Sequence, residues 1–444
     1  MRRMVMGGTV CLRRLAGSEA EERRFGRWLG HDRVTVEEIR ADFQARAAGH
    51  GGHVLAVQDT TELNFQHHAG KVRGLGAVGN GKDLGLFLHP VLALDADSGA
   101  CLGVVDAQVW TRPEGKRPDK RAVQDRESWR WLDGAQAAET ALRRAACVTV
   151  VADRESDLYP LLTRPCRPGS HFLVRAAQDR ALAEGGLLMT ALDDLPVAGH
   201  YSFEVTAQPA RRQIAGKIKP GRSARPATLA VRYGEMTFKR PRKRPVTGNE
   251  ASVTVRVVDV REIAPPAGEP PIHWRLLTSH NVANVEQAVR IVGWYQARWQ
   301  VEQLFRTLKR QDLDLESSQV ETAGGLMKLS LAALHSAAII LQLVQARDGT
   351  DPRPATDAFT ADEIAALDAL QPELEGRTEK QRNPHPRHSL AWASWIIARL
   401  GGWKGYASRK PPGPITMHHG LQWFRSLYQG FRIARKMQTV GLLN

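Results

Sequence analysis

Two short apolar runs, each ending in an aspartate, constrain the fold of this chain more than any other feature of its sequence. VLAVQD covers residues 54–59 and CVTVVAD covers residues 147–153. Short runs rich in valine predict buried β-strands, and an aspartate within such a run needs an explanation because strands disfavour it. Asp59 and Asp153 are therefore candidate functional residues, although a purely structural role at a strand end is the alternative.

The surrounding segments predict further strands and helices. A hairpin is expected where the runs at 84–95 and 101–110 flank the turn ADSG at 96–99, and a helix is expected within 128–146. Five more strands are predicted at FLVRAA, YSFEVTA, ATLAVRY, SVTVRVVDV and HWRLLTS, and the middle three are expected to form an inserted sheet. From Val282 onward the pattern is helical, so the fold class is α/β.

The charge of the chain favours a polyanionic partner. Lys and Arg number 62 against 47 Asp and Glu, which gives a formal net charge of +15 in 444 residues. The excess is concentrated between Tyr201 and Glu250, in a region that includes KRPRKR at 239–244. We interpret this region as a nucleic-acid contact; a solvated basic loop is the alternative.

Cysteine content and hydropathy favour a soluble cytoplasmic protein without a membrane partner. The four cysteines lack metal-ligand spacing, and neighbouring histidines such as His418 and His419 show no Cys/His framework, so no zinc site is predicted. The apolar run at 329–346 contains serine, glutamine and His335, which favours a buried core helix over a membrane span.

The segment WYQARWQVEQLFRTLKR at 294–310 predicts one amphipathic helix with a chemically mixed face. At about 100° per residue, four polar side chains fall within roughly 60° of one another. These are Tyr295, Arg298, Glu302 and Lys309. An apolar stripe beside them is expected to pack on the core. The alternative is a solvated face with intrahelical ion pairs.

Asp59, Asp153 and Glu302 together have a chemical rationale. Phosphodiester cleavage by two divalent cations about 4 Å apart needs several carboxylate ligands, and carboxylates are the ligands that Mg²⁺ prefers. Glu155 and Asp157, in ADRESD, compete with Asp153 for this role. The order of strand, hairpin, helix, strand, insertion and helix resembles a ribonuclease H-like mixed-sheet catalytic core interrupted by a β-rich insertion, with helical N- and C-terminal regions.

Three motifs extend this resemblance to a family. QDTTEL around Asp59, VVADRESD around Asp153 and the Tyr-x2-Arg-x3-Glu-x6-Lys array at 295–309 resemble the insertion-sequence-4 family of DDE transposases. The resemblance covers roughly residues 50–444. It implies a helical N-terminal region at 1–48, a first part of the core at 49–200, the basic β-rich insertion at 201–270, a second part of the core with the catalytic helix at 271–346, and a C-terminal helical region for dimerisation at 347–444.

The resemblance also implies a role for each site residue. Asp59, Asp153 and Glu302 would be catalytic and would hold two Mg²⁺ ions, with Mn²⁺ as a substitute. Tyr295, Arg298 and Lys309 would contact the phosphates beside the cut. Trp274 would stack on a flipped base, with Trp299 as an assisting aromatic residue, although core packing is the alternative for Trp274. Arg175 is a candidate DNA-backbone contact with surface ion pairing as its alternative.

The implied function is cut-and-paste DNA transposition by strand hydrolysis, hairpin formation and strand transfer. The partners are double-stranded DNA, as transposon ends and target, and a second copy of the chain in a homodimer on the DNA; the setting is a bacterial cytoplasm, at the nucleoid when bound to DNA. Fewer than 60 residues precede Asp59, where the family has a domain that reads the transposon end. A shortened, non-transposing DNA-binding inhibitor is therefore one alternative function, and a structure-selective nuclease is another.

Overall fold

The structure is a computed structural model that describes residues 7, 9–68, 70–79, 81–112, 127–212, 218–241, 250–310, 313–406 and 410–441. The described elements begin with α1 (Leu12–Leu15), α2 (Glu19–Gly30), α3 (Val36–Ala47), β1 (His53–Gln58), β2 (Thr61–Asn64), β3 (Gly76–Val78), β4 (Asp83–Asp95), β5 (Cys101–Trp110), α4 (Arg130–Ala141), β6 (Cys147–Ala152), α5 (Tyr159–Thr163), β7 (Ser170–Arg175) and α6 (Leu188–Asp193). They continue with β8 (Gly199–Val205), β9 (Arg211–Arg212), β10 (Ile218–Lys219), β11 (Arg225–Lys239), β12 (Ser252–Glu262), β13 (His273–Thr278), α7 (Val285–Ala297), α8 (Gln300–Lys309), α9 (Ala323–Ala346), α10 (Ala361–Leu374), α11 (Leu390–Leu400) and α12 (Pro414–Gly441).

An open mixed sheet organises the molecule, which confirms the α/β class. Within the described residues eleven strands join in one sheet, whose main path runs β2-β4-β1-β6-β7-β13-β12-β11-β8, with β3 and β5 also paired to β4. The pairs β1–β6 and β6–β7 are parallel, and the other pairs are antiparallel. The predicted hairpin is confirmed, because β4 and β5 pair along most of their length.

The central strand β1 is buried on both faces, and its alternate residues enter two different cores. Leu55 and Val57 belong to the core that also contains α7, α8 and α9, whereas Val54 and Ala56 belong to the core that contains α4. This division follows from the two-residue period of a strand. Asp59 follows Val57 in the same alternation, so it is expected on the α7–α8 side of the sheet.

The three strands predicted in the inserted region do form β-sheet, and they continue the main sheet. Strands β8, β11 and β12 pair with one another and extend the main sheet through β13, which bonds both β12 and β7. The pairing satisfies the backbone groups that an edge strand at β13 would leave open. Hydrophobic runs identify strands but do not specify their partners. Of the predicted basic run KRPRKR, residues 242–244 lie outside the described residues.

The long apolar helix α9 lies in the core. It is the one described helix that is long and apolar enough to cross a membrane by length and composition, and 83% of its most apolar window is buried inside the protein. Its Lys328 is buried and donates from Nζ to the carbonyls of Leu29 and His31, both at 2.9 Å, which ties the end of α2 to the core. The environment of α9 is therefore that of a core helix, as predicted.

Candidate active site

The parallel pairing of β1 with β6 places two aspartates side by side. The register pairs His53 with Cys147 and runs on to Val57 with Val151. Continued by two residues, the same register sets Asp59 opposite Asp153, immediately beyond the carboxyl ends of both strands. Adjacent strands lie about 4.8 Å apart, so the two carboxylates share one edge of the sheet.

Asp59 is held by two donors and lies in a poorly solvated place. Arg298 donates from Nη1 to its Oδ2 at 2.6 Å, and the backbone N–H of Thr60 donates to its Oδ1 at 2.8 Å. Burial raises the pKa of Asp59 to about 6, and the negative charges of Asp153 and Glu302 act in the same direction, while Arg298 opposes them. A clustering of like charges of this kind is typical of a site built for a cation.

The three acids of ADRESD have three different environments. The Oδ1 atom of Asp153 caps the short 3₁₀ turn Arg154–Ser156 by accepting from the N–H of Glu155 at 2.8 Å, and its Oδ2 accepts no hydrogen bond from the described part of the chain. Glu155 is exposed and forms an ion pair with Arg130 at 2.5 Å. Asp157 is buried against Arg180 and accepts from two backbone N–H groups. Asp153 is thus the one of these three acids that keeps a carboxylate oxygen, Oδ2, without a hydrogen bond from the described residues.

The prediction of one continuous helix over 294–310 was wrong. Two helices, α7 and α8, meet at Arg298 and Trp299, where two pairs of backbone bonds, one on each side of Gln300, run from residue i to i−3. Such bonds tighten the local turn, and a 3₁₀ stretch inside a helical run often marks a functional segment. The sequence wheel assumes a constant 100° per residue and cannot detect this change. Tyr295 consequently ends α7, whereas Glu302 and Lys309 lie on α8.

Arg298 contacts one of the three acids and lies within electrostatic range of the other two. Its side chain is 8% exposed, its guanidinium contacts Asp59, and its Cζ lies 5.4 Å from the ring centre of Trp299. Burial works against its charge, but Tyr295 and the carboxylates of the three acids raise the pKa of Arg298 overall. These three acids are Asp59, Asp153 and Glu302. The buried cation and the three carboxylates therefore form one electrostatic unit.

This arrangement of acids coincides with a sequence match to a known family. Residues 88–337, more than half of the chain, match the family described as Transposase DDE domain. The chain belongs to the transposase DDE domain family. The matched segment contains Asp153 and Glu302, and Asp59 precedes it. Membership of this DDE family implies the use of divalent metal ions.

The chain is also similar to a transposase of known structure. That structure is a cryo-EM structure of a piggyBac transposase synaptic complex with hairpin DNA, matched at 11% sequence identity with a TM-score of 0.35. The match covers 88% of this chain and 55% of that one, so the present chain spans about half the length of that transposase.

The donor set of the acidic site fits the divalent ions that DDE transposases use. Oxygen ligands suit hard cations such as Mg²⁺, and Glu302 is exposed on the first turn of α8 with its carboxylate in electrostatic range of Asp59. The three carboxylates are not gathered into a single tight triangle, because among the described residues only His53, Cys147 and His280 offer three ligand atoms within 4.8 Å of one another. A pair of ions several ångströms apart can use carboxylates with this wider spacing.

Three of the predicted DNA contacts cluster around Tyr295. Trp274 is half-buried on β13 and packs edge to face against Tyr295, with ring centres 6.0 Å apart, and against Phe203 at 5.8 Å. Arg175, at the end of β7, donates to the carbonyl of His273 at 2.8 Å. Burial lowers the pKa of Arg175, and Tyr295 partly offsets this effect. The structure therefore brings Trp274 and Arg175 to Tyr295, which is itself buried in the core at 2% exposed, with Trp274 packed at the edge of that core.

The two remaining predicted contacts lie on the rim. Trp299 is 48% exposed and covers the guanidinium of Arg298. Lys309 is half-buried at the end of α8. Burial lowers its pKa, and the carboxylates of Glu316, Glu62 and Glu302 partly offset this effect.

Sequence reasoning missed Arg130, which supports the acids from α4. Its Nε donates to the hydroxyl of Thr60 at 2.9 Å and its Nη2 contacts Glu155 at 2.5 Å, so it links the residues that follow Asp59 and Asp153. The hydroxyl of Thr60 also bonds the ring of His89, which is buried. No sequence spacing connects Arg130 with Thr60 and Glu155, because the contact arises only from the packing of α4 on the sheet.

Proposed function

We propose that this chain is a cut-and-paste DNA transposase that moves an insertion sequence by strand hydrolysis, hairpin formation and strand transfer at a single site. The observation that carries the proposal is the placement of Asp59, Asp153 and Glu302 within electrostatic range of the buried Arg298, in a chain of the transposase DDE domain family. We further propose that the core is ribonuclease H-like and that the chain belongs to the insertion-sequence-4 branch of the family.

The carboxylates of Asp59, Asp153 and Glu302 would hold two Mg²⁺ ions, or Mn²⁺ in their place. When bound, such ions supply activation of the attacking oxygen and stabilise the charge on the leaving oxygen. The protein groups around them have other tasks. Arg298 keeps Asp59 oriented through the 2.6 Å ion pair and is positioned to contact a phosphate once the carboxylate is engaged elsewhere.

The predicted contacts would position DNA, with Lys309 and Trp299 on the rim and Tyr295, at 2% exposed, beneath the surface. Lys309 and Tyr295 supply a cation and a phenol for phosphate oxygens, and Arg175 adds a second cation beside Tyr295. Trp274 and the exposed Trp299 offer aromatic faces for a base that leaves the stack, and such stacking recovers part of the cost of flipping. The basic insertion at 201–270 would follow the DNA backbone and make binding dependent on salt.

Dimerisation on DNA would use the C-terminal helices. Three large apolar side chains on α12 are well exposed: Trp423 at 63%, Ile433 at 61% and Met437 at 69%. Apolar surface of this kind on a long helix is suited to an interface with a second copy of the chain. An exposed face by itself does not fix the partner, so the homodimer is part of the proposal.

A cleavage assay with matched variants tests the proposal. Duplex DNA carrying the native flanks of the gene is incubated with Mg²⁺ and with wild-type chain, Glu302→Gln or Glu286→Gln. Glu286 is an exposed acid on the first turn of α7, so its change to Gln controls for the loss of a surface charge. We expect nicks and hairpins from wild type and Glu286→Gln, and none from Glu302→Gln.

The other outcomes separate the competing functions. Nicking without hairpins or strand transfer would favour a structure-selective nuclease. DNA binding without any cleavage by the wild-type chain would favour the non-transposing inhibitor, and that function requires that the chain lower the transposition frequency of a full-length relative when both are expressed together. Equal cleavage by wild type and Glu302→Gln would contradict the proposed site.

A further inference from the structure

A second cluster of ligand-type side chains lies on the same face of the sheet as the carboxylates, at the opposite strand ends. His53 begins β1, Cys147 begins β6, and the two are direct partners in the parallel register. His280 follows β13 by two residues. One ligand atom from each of these three residues lies within 4.8 Å of the other two. Six residues of extended chain separate His53 from Asp59, or about 20 Å, so this cluster is distinct from the acidic site.

We propose that His53, Cys147 and His280 bind a transition-metal ion of the Zn²⁺ class, with solvent in the fourth position. Two imidazoles and one thiolate are ligands for borderline and soft cations, whereas Mg²⁺ takes oxygen. All three residues are half-buried, so the cluster has protein on one side and access to water on the other. Three protein ligands with an open fourth position is a common zinc arrangement.

The geometry needs only small side-chain rotations to close around an ion. Zinc–nitrogen bonds of about 2.0 Å and zinc–sulfur bonds of about 2.3 Å in a tetrahedron set ligand atoms roughly 3.5 Å apart. The ligand atoms now lie within 4.8 Å of one another, and the backbones of His53 and Cys147 are fixed by strand pairing. The backbone N–H of His280 is also fixed, because it donates to the hydroxyl of Thr278 at 3.1 Å.

A buried threonine keeps the two histidines pointed at the same place. The Oγ1 of Thr149 lies 2.7 Å from Nε2 of His53 and 2.7 Å from Nε2 of His280, and Thr149 is fully buried. One hydroxyl carries one proton, so it donates to one ring and accepts from the other. The ring that donates from Nε2 therefore has an unprotonated Nδ1, and a nitrogen lone pair of this kind is what a metal requires.

A bound ion would brace the helix that leads to the acidic site. The ring of Trp294 packs on His53 at 4.6 Å and on His280 at 4.9 Å, and its Nε1 donates to the carbonyl of Ala96 at 3.1 Å. Trp294 immediately precedes Tyr295 on α7. Cross-linking β1, β6 and the segment after β13 beneath Trp294 would therefore fix the position of α7 and of Arg298 beyond it. We assign the site a structural role.

Cobalt substitution tests the proposal on the full chain. Metal-stripped protein is titrated with Co²⁺ in excess Mg²⁺, which occupies oxygen sites and leaves a thiolate site open. We expect one Co²⁺ per chain with tetrahedral visible bands and thiolate-to-cobalt charge transfer, and displacement by Zn²⁺. The charge-transfer band should vanish in Cys147→Ser, and Co²⁺ affinity should fall by more than about tenfold in His280→Gln. Cys166→Ser, at an exposed cysteine, is the matched control.

A second measurement uses the wild-type chain alone, so it does not depend on the folding of variants. Alkylation of Cys147 and Cys166 is followed by peptide mass spectrometry with and without Zn²⁺. We expect Zn²⁺ to slow modification of Cys147 at least about tenfold while leaving Cys166 unchanged, and Mg²⁺ to protect neither. Absence of thiolate-to-cobalt absorption, or equal reactivity of Cys147 with and without Zn²⁺, would overturn the proposal.

Discussion

The Nη1 atom of Arg298 lies 2.6 Å from Oδ2 of Asp59, so a buried guanidinium occupies the position where a cation is needed beside the first acid. The contact joins the end of β1 to the turn between α7 and α8. It also compensates part of the charge that Asp59, Asp153 and Glu302 bring together. Under the proposed function, Arg298 and a divalent ion would compete for the same carboxylate.

This competition predicts the metal affinity of Arg298→Gln. Asp59 has a pKa of about 6, so protons displace metal as the pH falls through that value. Because Arg298 lowers the pKa of Asp59, its removal should shift the midpoint of this loss upward by about 1 pH unit, while metal binding well above the midpoint should become tighter. Calorimetric Mn²⁺ titrations without DNA, at several pH values, measure both effects.

Arg306→Gln serves as the control for this measurement, because Arg306 is an exposed cation on α8. It should leave the pH midpoint where wild type has it. A midpoint unchanged in Arg298→Gln would show that the guanidinium does not control Asp59.

A second prediction concerns stability and pH at Asp59. Its folded pKa of about 6 lies above the value of about 3.9 that an aspartate has in an unfolded chain, so the folded state binds the proton more tightly. The stabilisation from this proton is fully present below about pH 4 and is lost as the pH rises through about 6. Asp59→Asn, which needs no proton, should therefore be more stable than wild type above pH 7, by about 1–3 kcal/mol.

Urea unfolding in the absence of metal measures this difference across the pH range. The advantage of Asp59→Asn should disappear below about pH 4. Adding Mg²⁺ at neutral pH should stabilise wild type and narrow the gap. A variant that is less stable than wild type at neutral pH without metal would contradict the assigned charge environment.

The sequence predicted individual strands well and their assembly only in part. The runs of valine and leucine identified β1, β4, β5 and β6, because burial on a pleated surface leaves a clear pattern. The same runs did not reveal that β12 pairs with β13, since strand pairing depends on long-range contacts. The turn at Arg298 and Trp299 was hidden for a different reason: the i→i−3 bonds there depend on where Arg298 finds its partner.

The candidate site residues were also predicted only in part. Asp59 and Asp153 could be identified as candidates because each ends an apolar run. Only the β1–β6 register showed that the two are neighbours. His53, Cys147 and His280 are far apart in sequence and match no metal-binding spacing, so the ligand-type cluster was visible only after the strands were paired. Arg180 follows the candidate DNA contact Arg175 by five residues, and its burial against Asp157 gives it an ion-pairing role.

That assignment predicts a large loss of stability in Arg180→Met. Arg180 is 7% exposed and binds both the carboxylate and the backbone carbonyl of Asp157. Its removal leaves a buried carboxylate without its cation, which typically costs about 3–5 kcal/mol. Urea unfolding measures the loss, and Arg154→Met, at an exposed arginine in the same region, should cost less than about 0.5 kcal/mol. If Arg180→Met were as stable as wild type but bound DNA more weakly, the result would show that Arg180 contacts DNA and does not stabilise Asp157.

The last prediction separates packing from base stacking at Trp274. Its ring contacts Tyr295 and Phe203 edge to face, so Trp274→Ala would disturb the core as well as any DNA contact. Trp274→Phe keeps an aromatic ring and should lower stability by only about 1 kcal/mol. A smaller ring stacks less well on a flipped base, and stacking is worth about 1–3 kcal/mol per base. We therefore expect the first nick at nearly the wild-type rate and a several-fold lower yield of hairpin, scored on denaturing gels of end-labelled DNA. Equal loss of nicking and hairpin would instead indicate that Trp274 acts through packing against Tyr295.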